Sequence, residues 1–170
     1  MITIRQEGTK DIQMIYQVNS LAFESQVEAE IVNKLRSRGN VTLSLVAELE
    51  GAVVGHILFT PVRIVTPGGE SRAVGLGPMA VLPAYQGQGI GSRLVEQGLS
   101  ECKKLDQQLV IVLGHPQYYP RFGFQKASMF GIRCQETVPE ETFMLVELAE
   151  GAAQGYVNGV VYYQPEFWEE

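Results

Sequence analysis

The chain has 170 residues, 45% of them hydrophobic, which is the size and composition of one ordinary globular domain with a real core. Its 19 acidic and 13 basic residues leave a formal charge of −6, which argues against a general polyanion-binding surface and suits a cationic amine as partner, with no nucleic acid. No uncharged apolar run reaches the ~18 residues needed to span a bilayer, and no basic segment followed by an apolar one opens the chain, so a cytoplasmic protein with no membrane partner is expected.

In chain order, ITIRQ reads as a short edge strand, after which Thr9 can cap a helix with Ile12, Ile15, Tyr16, Asn19, Ala22 and Phe23 on one side. Ser25 and Glu28 form a capping-box pattern for a second helix, with Val27, Ile31 and Leu35 on one face and a stop at Gly39. The run TLSLVAELEGAVVGHILFTPVRIV reads as two strands joined at Glu50 and Gly51, and TPGGE supplies the next turn.

A further apolar run, GLGPMAVLP from Gly75 to Pro83, leads into QGQGIG, Gln86 to Gly91. Beyond it Ile90, Leu94, Val95, Leu99, Cys102 and Leu105 recur at helical spacing, giving the order strand, glycine loop, helix. Gly87, Gly89 and Gly91 let the backbone turn tightly and approach a ligand, while the first N–H groups of the helix have no partner within it and attract anions. The segment therefore reads as a phosphate cradle. A P-loop would need Gly-Lys-Ser/Thr, which is absent, and a dinucleotide fingerprint needs a G-x-G-x-x-G spacing that these glycines lack. A strand follows at Leu109 to Gly114, and because a helix of about fifteen residues intervenes, the two strands flanking it should be parallel. FMLVEL and GVVYY have strand composition and should join the same sheet, and QPEFWEE reads as a tail packed by Phe167 and Trp168. No repeat or linker divides the chain, so residues 1–170 are read as a single domain.

Two motifs together carry a family resemblance. Gln86, Gly89 and Gly91 meet the pattern Q/R-x-x-G-x-G/A after a Val81-x-Pro83 step, and Tyr118 and Tyr119 precede Gly123-Phe124 by the spacing of an aromatic pair, three residues and Gly-Phe. Here the sequence resembles the GNAT superfamily of N-acetyltransferases. The two motifs cover roughly the central third of the chain, and the predicted elements on either side agree with the family's order.

The resemblance implies an α/β fold: a mixed, mostly antiparallel central sheet, helices on both faces, and one parallel strand-helix-strand unit that binds the cofactor. It implies acetyl-CoA as cosubstrate and a small-molecule or peptide amine as acceptor, with direct attack of the amine in a ternary complex. The pyrophosphate would lie on the N–H groups of Gln88, Gly89, Ile90, Gly91 and Ser92, with Gln86 and Gly87 beside it. Backbone groups of Met79, Ala80 and Val81 would pair with the pantetheine arm, and the Val81 N–H would donate to the thioester oxygen. Tyr119 is implied as general acid for the departing thiolate, Tyr118 as packing, and His115 as a cofactor contact. An exposed C-terminal strand edge is a place where family members pair as homodimers.

The sequence departs from the family in one respect: Gly75 to Pro83 contains no ionisable residue where a glutamate often serves as base. His56 and His115 are the remaining candidates by intrinsic pKa, each with a structural role as the alternative. Glu24, Glu28 and Glu30 flank the turn that forms part of the family's acceptor site, where they would attract an amine or act as solvated helix charges. No G-x-S-x-G elbow is present, neither Cys102 nor Cys134 has a local His partner, and two separated cysteines imply neither a disulfide framework nor a metal site. An acyl-CoA-binding regulatory module that has lost turnover, and a nucleotide-binding protein, are the competing readings.

Overall fold

The computed structural model describes residues 1–169. Its nine-stranded sheet is built on a long central strand. β1 (Ile2–Gln6) pairs with β2 (Leu43–Leu49), β2 with β3 (Ala52–Thr66) and β3 with β4 (Gly69–Val81), all antiparallel. β4 then pairs in parallel with β5 (Leu109–Leu113). The parallel arrangement follows from α3 (Ile90–Lys104), which carries the chain back across the sheet. β5 continues antiparallel to β8 (Phe143–Glu147), and β8 to the two-residue β6 (Gln125–Lys126). β9 (Val160–Tyr162) pairs with the far half of β3, at Arg63 to Val65, and β7 (Arg133–Cys134) runs parallel to β9. Both C-terminal strands thus join the one sheet, as their composition predicts.

Alternation along β2 separates the two faces, because successive strand residues point to opposite sides. Leu45 packs with Leu94, Val95 and Cys102 of α3, whereas Val46 packs with Ile15 and Val18 of α1 (Ile12–Phe23) and with Val32 and Leu35 of α2 (Val27–Ser37). Helices therefore cover both faces. A third cluster, including Val62, Ile64, Ile111, Leu145 and Val161, fills the C-terminal half.

Local expectations change at three places. The chain enters α1 through a 3-10 turn at Thr9–Asp11, and Asp11 rather than Thr9 takes the capping role: its Oδ2 accepts from the Gly8 N–H at 2.6 Å. Arg5 on β1 holds that carboxylate through two bonds, of 2.7 and 3.0 Å. The Arg5 hydrogen bonds keep Asp11 near a pKa of about 2. Ser25 Oγ does accept from the Val27 N–H at 3.1 Å, but Glu28 does not complete a capping box, since the Ser25 N–H is already bonded to the Ser20 carbonyl. Val27 is exposed; the buried face of α2 consists of Ala29, Val32 and Leu35, with Ile31 only partly covered. Leu105 is likewise exposed, because α3 ends at Lys104.

α3 sits close to the sheet at Gly98, where a Cβ would lie 2.4 Å from a ring carbon of Phe59. Phe59 is fully buried. Replacing a helix-interior glycine by alanine ordinarily stabilises by up to ~1 kcal/mol, while overpacking a core costs about 1–3 kcal/mol. Overpacking should win: Gly98→Ala is expected to lower the urea unfolding midpoint, and Phe59→Leu in the same chain to recover part of the loss. An unchanged midpoint in Gly98→Ala would mean that the ring moves aside freely.

Candidate active site

The site forms where the sheet opens. β4 and β5 are paired over three positions only, Val74–Val110, Gly75–Ile111 and Leu76–Val112. Beyond Leu76, β4 carries an extra residue against β3, with Ile57 opposite Met79 but Phe59 opposite Leu76, and a bulge of this kind bends a strand. β5 ends at Leu113 while β4 runs on to Val81, so a wedge opens between them. The Leu82 N–H bonds the Val54 carbonyl on the β3 side at 2.9 Å; by strand alternation the Val81 N–H points the other way, into the wedge.

At the mouth of the wedge lies the glycine loop. Gly87 and Gly89 have φ of +77° and +83°, a region open to glycine, and a Cβ at either would meet nothing within 4 Å. The Arg93 N–H makes the first bond of α3, to the Gly89 carbonyl at 3.1 Å, which leaves the N–H groups ahead of it without a partner inside the helix. Gln86 ties the loop back to the strand, its Nε2 donating to the Val81 carbonyl at 2.9 Å. Ile90 is buried and anchors the helix start in the core.

Opposite the loop stand the two tyrosines. Tyr119 is buried against Tyr118 and Phe124 in edge contacts of 5.1 and 5.6 Å, and it rests on Gly114, where a Cβ would lie 2.5 Å from its ring. Burial, reinforced by Tyr118, pushes its phenol up to about 12, so it stays protonated at neutral pH. The Tyr118 hydroxyl lies 3.4 Å from Ser92 Oγ, and a Cβ at Gly91 would come within 3.0 Å of it. Arg121 stacks over the Tyr118 ring at 4.5 Å. The His115 carbonyl accepts from the Tyr118 N–H at 3.1 Å and fixes the entry to this short helix.

These elements enclose one cavity of ≈ 780 Å³, within the range of small-molecule sites. Met79, Val81, Gln86, Gly87, Gly89, Ile90, Gly91, Ser92, His115 and Tyr119 all line it. Ala80 instead packs toward α1, and Gln88 is exposed on the loop, so neither side chain lines the cavity. Of the three glutamates considered for the acceptor site, Glu28 lines the cavity and Glu24 and Glu30 do not; Thr60, Tyr163, Phe167 and Trp168, with Phe23 from α1, form a wall not anticipated as a site. Tyr163 reaches it because Gly75 has no side chain; a Cβ there would lie 3.0 Å from the tyrosine ring. No local pattern announces that pairing, since Gly75 and Tyr163 are 88 positions apart in sequence and meet only through β9.

The family model for an acetyltransferase (GNAT) domain matches residues 3–127. The chain belongs to the GNAT acetyltransferase family. It is an N-acetyltransferase by the same likeness: it is 40% identical to YhbS of Escherichia coli K12, an uncharacterized N-acetyltransferase, over 147 residues, 86% of each chain, and 39% identical to YjhQ of the same strain, also an uncharacterized N-acetyltransferase, over 134 residues, 77% of this chain and 74% of that protein. Among solved structures, *E. coli* YhbS in complex with CoA superposes with a TM-score of 0.91 at 37% identity, covering 99% of this chain and 92% of that one. A GNAT acetyltransferase from *Brucella melitensis* in complex with acetyl-CoA gives 0.81 at 37% identity, covering 98% of both. The GNAT sheet and its parallel β4–α3–β5 unit are therefore those of this chain.

His56, one of the two candidate bases, does not line the GNAT cavity. It is fully buried between α1 and β2, with Asn19 Nδ2 donating to its Nδ1 at 3.2 Å and Ser44 Oγ 2.9 Å from its Nε2. Asn19 Nδ2, which also donates to the Ile15 carbonyl, can only donate, so the ring hydrogen sits on Nε2 and faces Ser44, whose hydroxyl donates to Glu7. Burial, opposed by Glu7 and aided by Arg36, lowers the imidazole to about 4. Its role is structural.

In the unfolded chain His56 titrates at its ordinary value near 6.5, so between pH 6.5 and 4 the unfolded state takes up a proton that the folded state refuses. Stability is therefore full above pH 6.5 and lost as pH falls, by about 3 kcal/mol for this group. Urea unfolding from pH 7 to 4 should show that loss, and His56→Gln should flatten it. A wild-type curve flat across this window would contradict a buried neutral imidazole.

Proposed function

We propose that the chain transfers the acetyl group of acetyl-CoA to a primary amine, which attacks the thioester directly in a ternary complex. The single observation that carries the reading is the wedge between β4 and β5, which runs from the glycine loop to the Tyr119 wall. The open space before Gly87 and Gly89, together with the unbonded N–H groups at the start of α3, fits a pyrophosphate. The CoA and acetyl-CoA complexes of the *E. coli* and *Brucella* relatives support the same cosubstrate here.

Acetyl-CoA, when bound, supplies an acyl carbon and a thiolate leaving group. The N–H groups from Gln88 to Ser92 hold the pyrophosphate, and Gln86 keeps the loop in place through its bond to Val81. Backbone groups of Met79 to Val81 line up the pantetheine arm as an added strand would. The Val81 N–H donates to the thioester oxygen as negative charge develops there, a contribution of about 3 kcal/mol in acyl transfer. Tyr119 gives its phenolic proton to the departing sulfur and recovers one, through solvent, from the nitrogen that has been acetylated, and His115 contacts the cofactor arm. Direct attack is supported by the state of the thiols: Cys102 is buried beneath α3, where burial pushes it up to about 12, and Cys134 is buried and raised as well. Neither is poised to carry an acyl group. Relatives named as N-acetyltransferases favour turnover over a purely regulatory acyl-CoA module.

Calorimetric titration with acetyl-CoA beside ATP and NAD tests the reading. Acetyl-CoA alone is expected to bind, and Gly89→Trp to abolish binding, because the added ring fills the space before the helix and a side chain at the φ of +83° strains the loop; circular dichroism should show the core still folded. Tyr119→Phe should bind acetyl-CoA normally and lose ~10²–10⁴-fold in kcat. Equal affinity for ATP, or full activity in Tyr119→Phe, would overturn the corresponding assignment.

A further inference from the structure

The acceptor half of the cavity contains three buried polar atoms with no hydrogen-bond partner: Glu28 Oε1, Thr60 Oγ1 and the Tyr163 hydroxyl. Unpartnered buried polar atoms are rare, and each costs stability unless a ligand satisfies it. Thr60 is fully buried at the cavity wall and sits directly across from Gly75, the residue covered by the Tyr163 ring.

The charge in the cavity is divided. Glu28, from α2, is the only carboxylate among the described residues that line it. Arg121 and the start of α3 lie on the tyrosine side, where Arg121 covers Tyr118 and Tyr118 approaches Ser92. One end therefore suits anionic phosphate and the other a single cation. Around Glu28 the lining is aromatic: Phe23, Phe167 and Trp168 share the wall with Tyr163, whose ring meets those of Phe167 and Trp168 edge-on at 5.8 and 6.2 Å.

The tail that brings these rings is held firmly. Glu166 is buried and accepts from Arg38 at 3.1 Å and Asn40 at 3.2 Å, which docks residues 165–168 onto the end of α2. Tyr163, Phe167 and Trp168 lie beyond the residues 3–127 that the family model matches, whereas Phe23, Glu28 and Thr60 lie within them.

Building on the transferase reading, we propose that the acceptor is a monocationic primary amine with an aromatic body: Glu28 receives its ammonium group, which sheds one proton to solvent before the nitrogen attacks, the Thr60 and Tyr163 hydroxyls complete the polar contacts, and Phe23, Phe167 and Trp168 hold the ring. A polyamine or an aminoglycoside would bring several charges to a cavity with one carboxylate and a competing guanidinium. An aryl-ethyl monoamine brings one charge and an apolar group matched to the wall.

The test uses the intact protein loaded with CoA, titrated calorimetrically with 2-phenylethylamine and with spermidine, followed by steady-state acetylation of both amines from acetyl-CoA. Phenylethylamine should bind at least tenfold tighter than spermidine and be the better substrate. Glu28→Gln should lower kcat/KM for phenylethylamine tenfold or more, mainly through KM. Trp168→Ala should raise that KM about tenfold and Trp168→Phe should restore most of it, with acetyl-CoA affinity the same in every variant. Preference for spermidine, or variants without effect on KM, would overturn this assignment while leaving the transferase reading intact. Failure of the wild-type protein to bind acetyl-CoA would overturn both.

Discussion

The structure depends on how briefly β4 and β5 are paired. Three residue pairs hold the two strands in parallel, after which the bulge at Gly77–Pro78 turns β4 away and β5 stops. Had pairing continued, the backbone groups of Met79 and Val81 would be spent on β5 and the sheet would be closed. Because it does not continue, a strand edge with free N–H groups is exposed inside the molecule, covered by α1 and α2 on one side and α3 on the other. Exposed edges invite a partner. In the proposed function that partner is the extended pantetheine arm.

A gap in a sheet has to be supported by its surroundings, and the two faces do this differently. On the α3 side the support is apolar: Leu94, Val95 and Cys102 lie against Leu45, Phe59, Val110 and Val112, with Gly98 allowing the helix to approach Phe59. On the α1 and α2 side, polar groups are built into the packing. His56 bridges Asn19 and Ser44, and Ser44 leads to Glu7, which is held by Arg36 at 2.8 and 3.0 Å. This chain of bonds joins α1, α2, β2 and β3, so the helices that bound the acceptor wall are registered to the sheet by directional contacts. Arg5, bonded to both Asp11 and Glu48, does the same where β1 enters α1.

Within the cavity, chemistry is separated by distance from the split. In the proposed function the phosphate end uses backbone N–H groups and a positive helix terminus, which need only glycines and a helix. The proposed reacting centre needs one strand N–H and one phenol. The proposed acceptor end uses side chains from α1, α2, β3 and the C-terminal tail, and its unpartnered atoms belong to residues far apart in sequence. Burial has opposite consequences for the candidate base His56 and the candidate acid Tyr119. It strips His56 of its proton deep in a packed interface, whereas it keeps the Tyr119 phenol protonated on the cavity wall.

Elements whose signals are local can be read along the chain. The strand, glycine loop and helix from Gly75 to Leu105 are legible because glycine spacing and apolar periodicity act over a few residues, and the parallel pairing follows from the length of the crossover. The Tyr119 spacing is legible for the same reason. Tertiary structure decided the rest. That Asp11 and not Thr9 caps the first turn depends on Arg5 arriving from β1, and Glu28 lines a cavity only through where α2 packs in the fold. The aromatic acceptor wall exists because β9 pairs with the far half of β3, which brings Tyr163 over the bare backbone of Gly75, and because Arg38 and Asn40 hold Glu166 and the tail beside it. Such contacts join residues dozens of positions apart, and no periodicity along the chain encodes them; they follow only from burial of surfaces that meet once the sheet has formed.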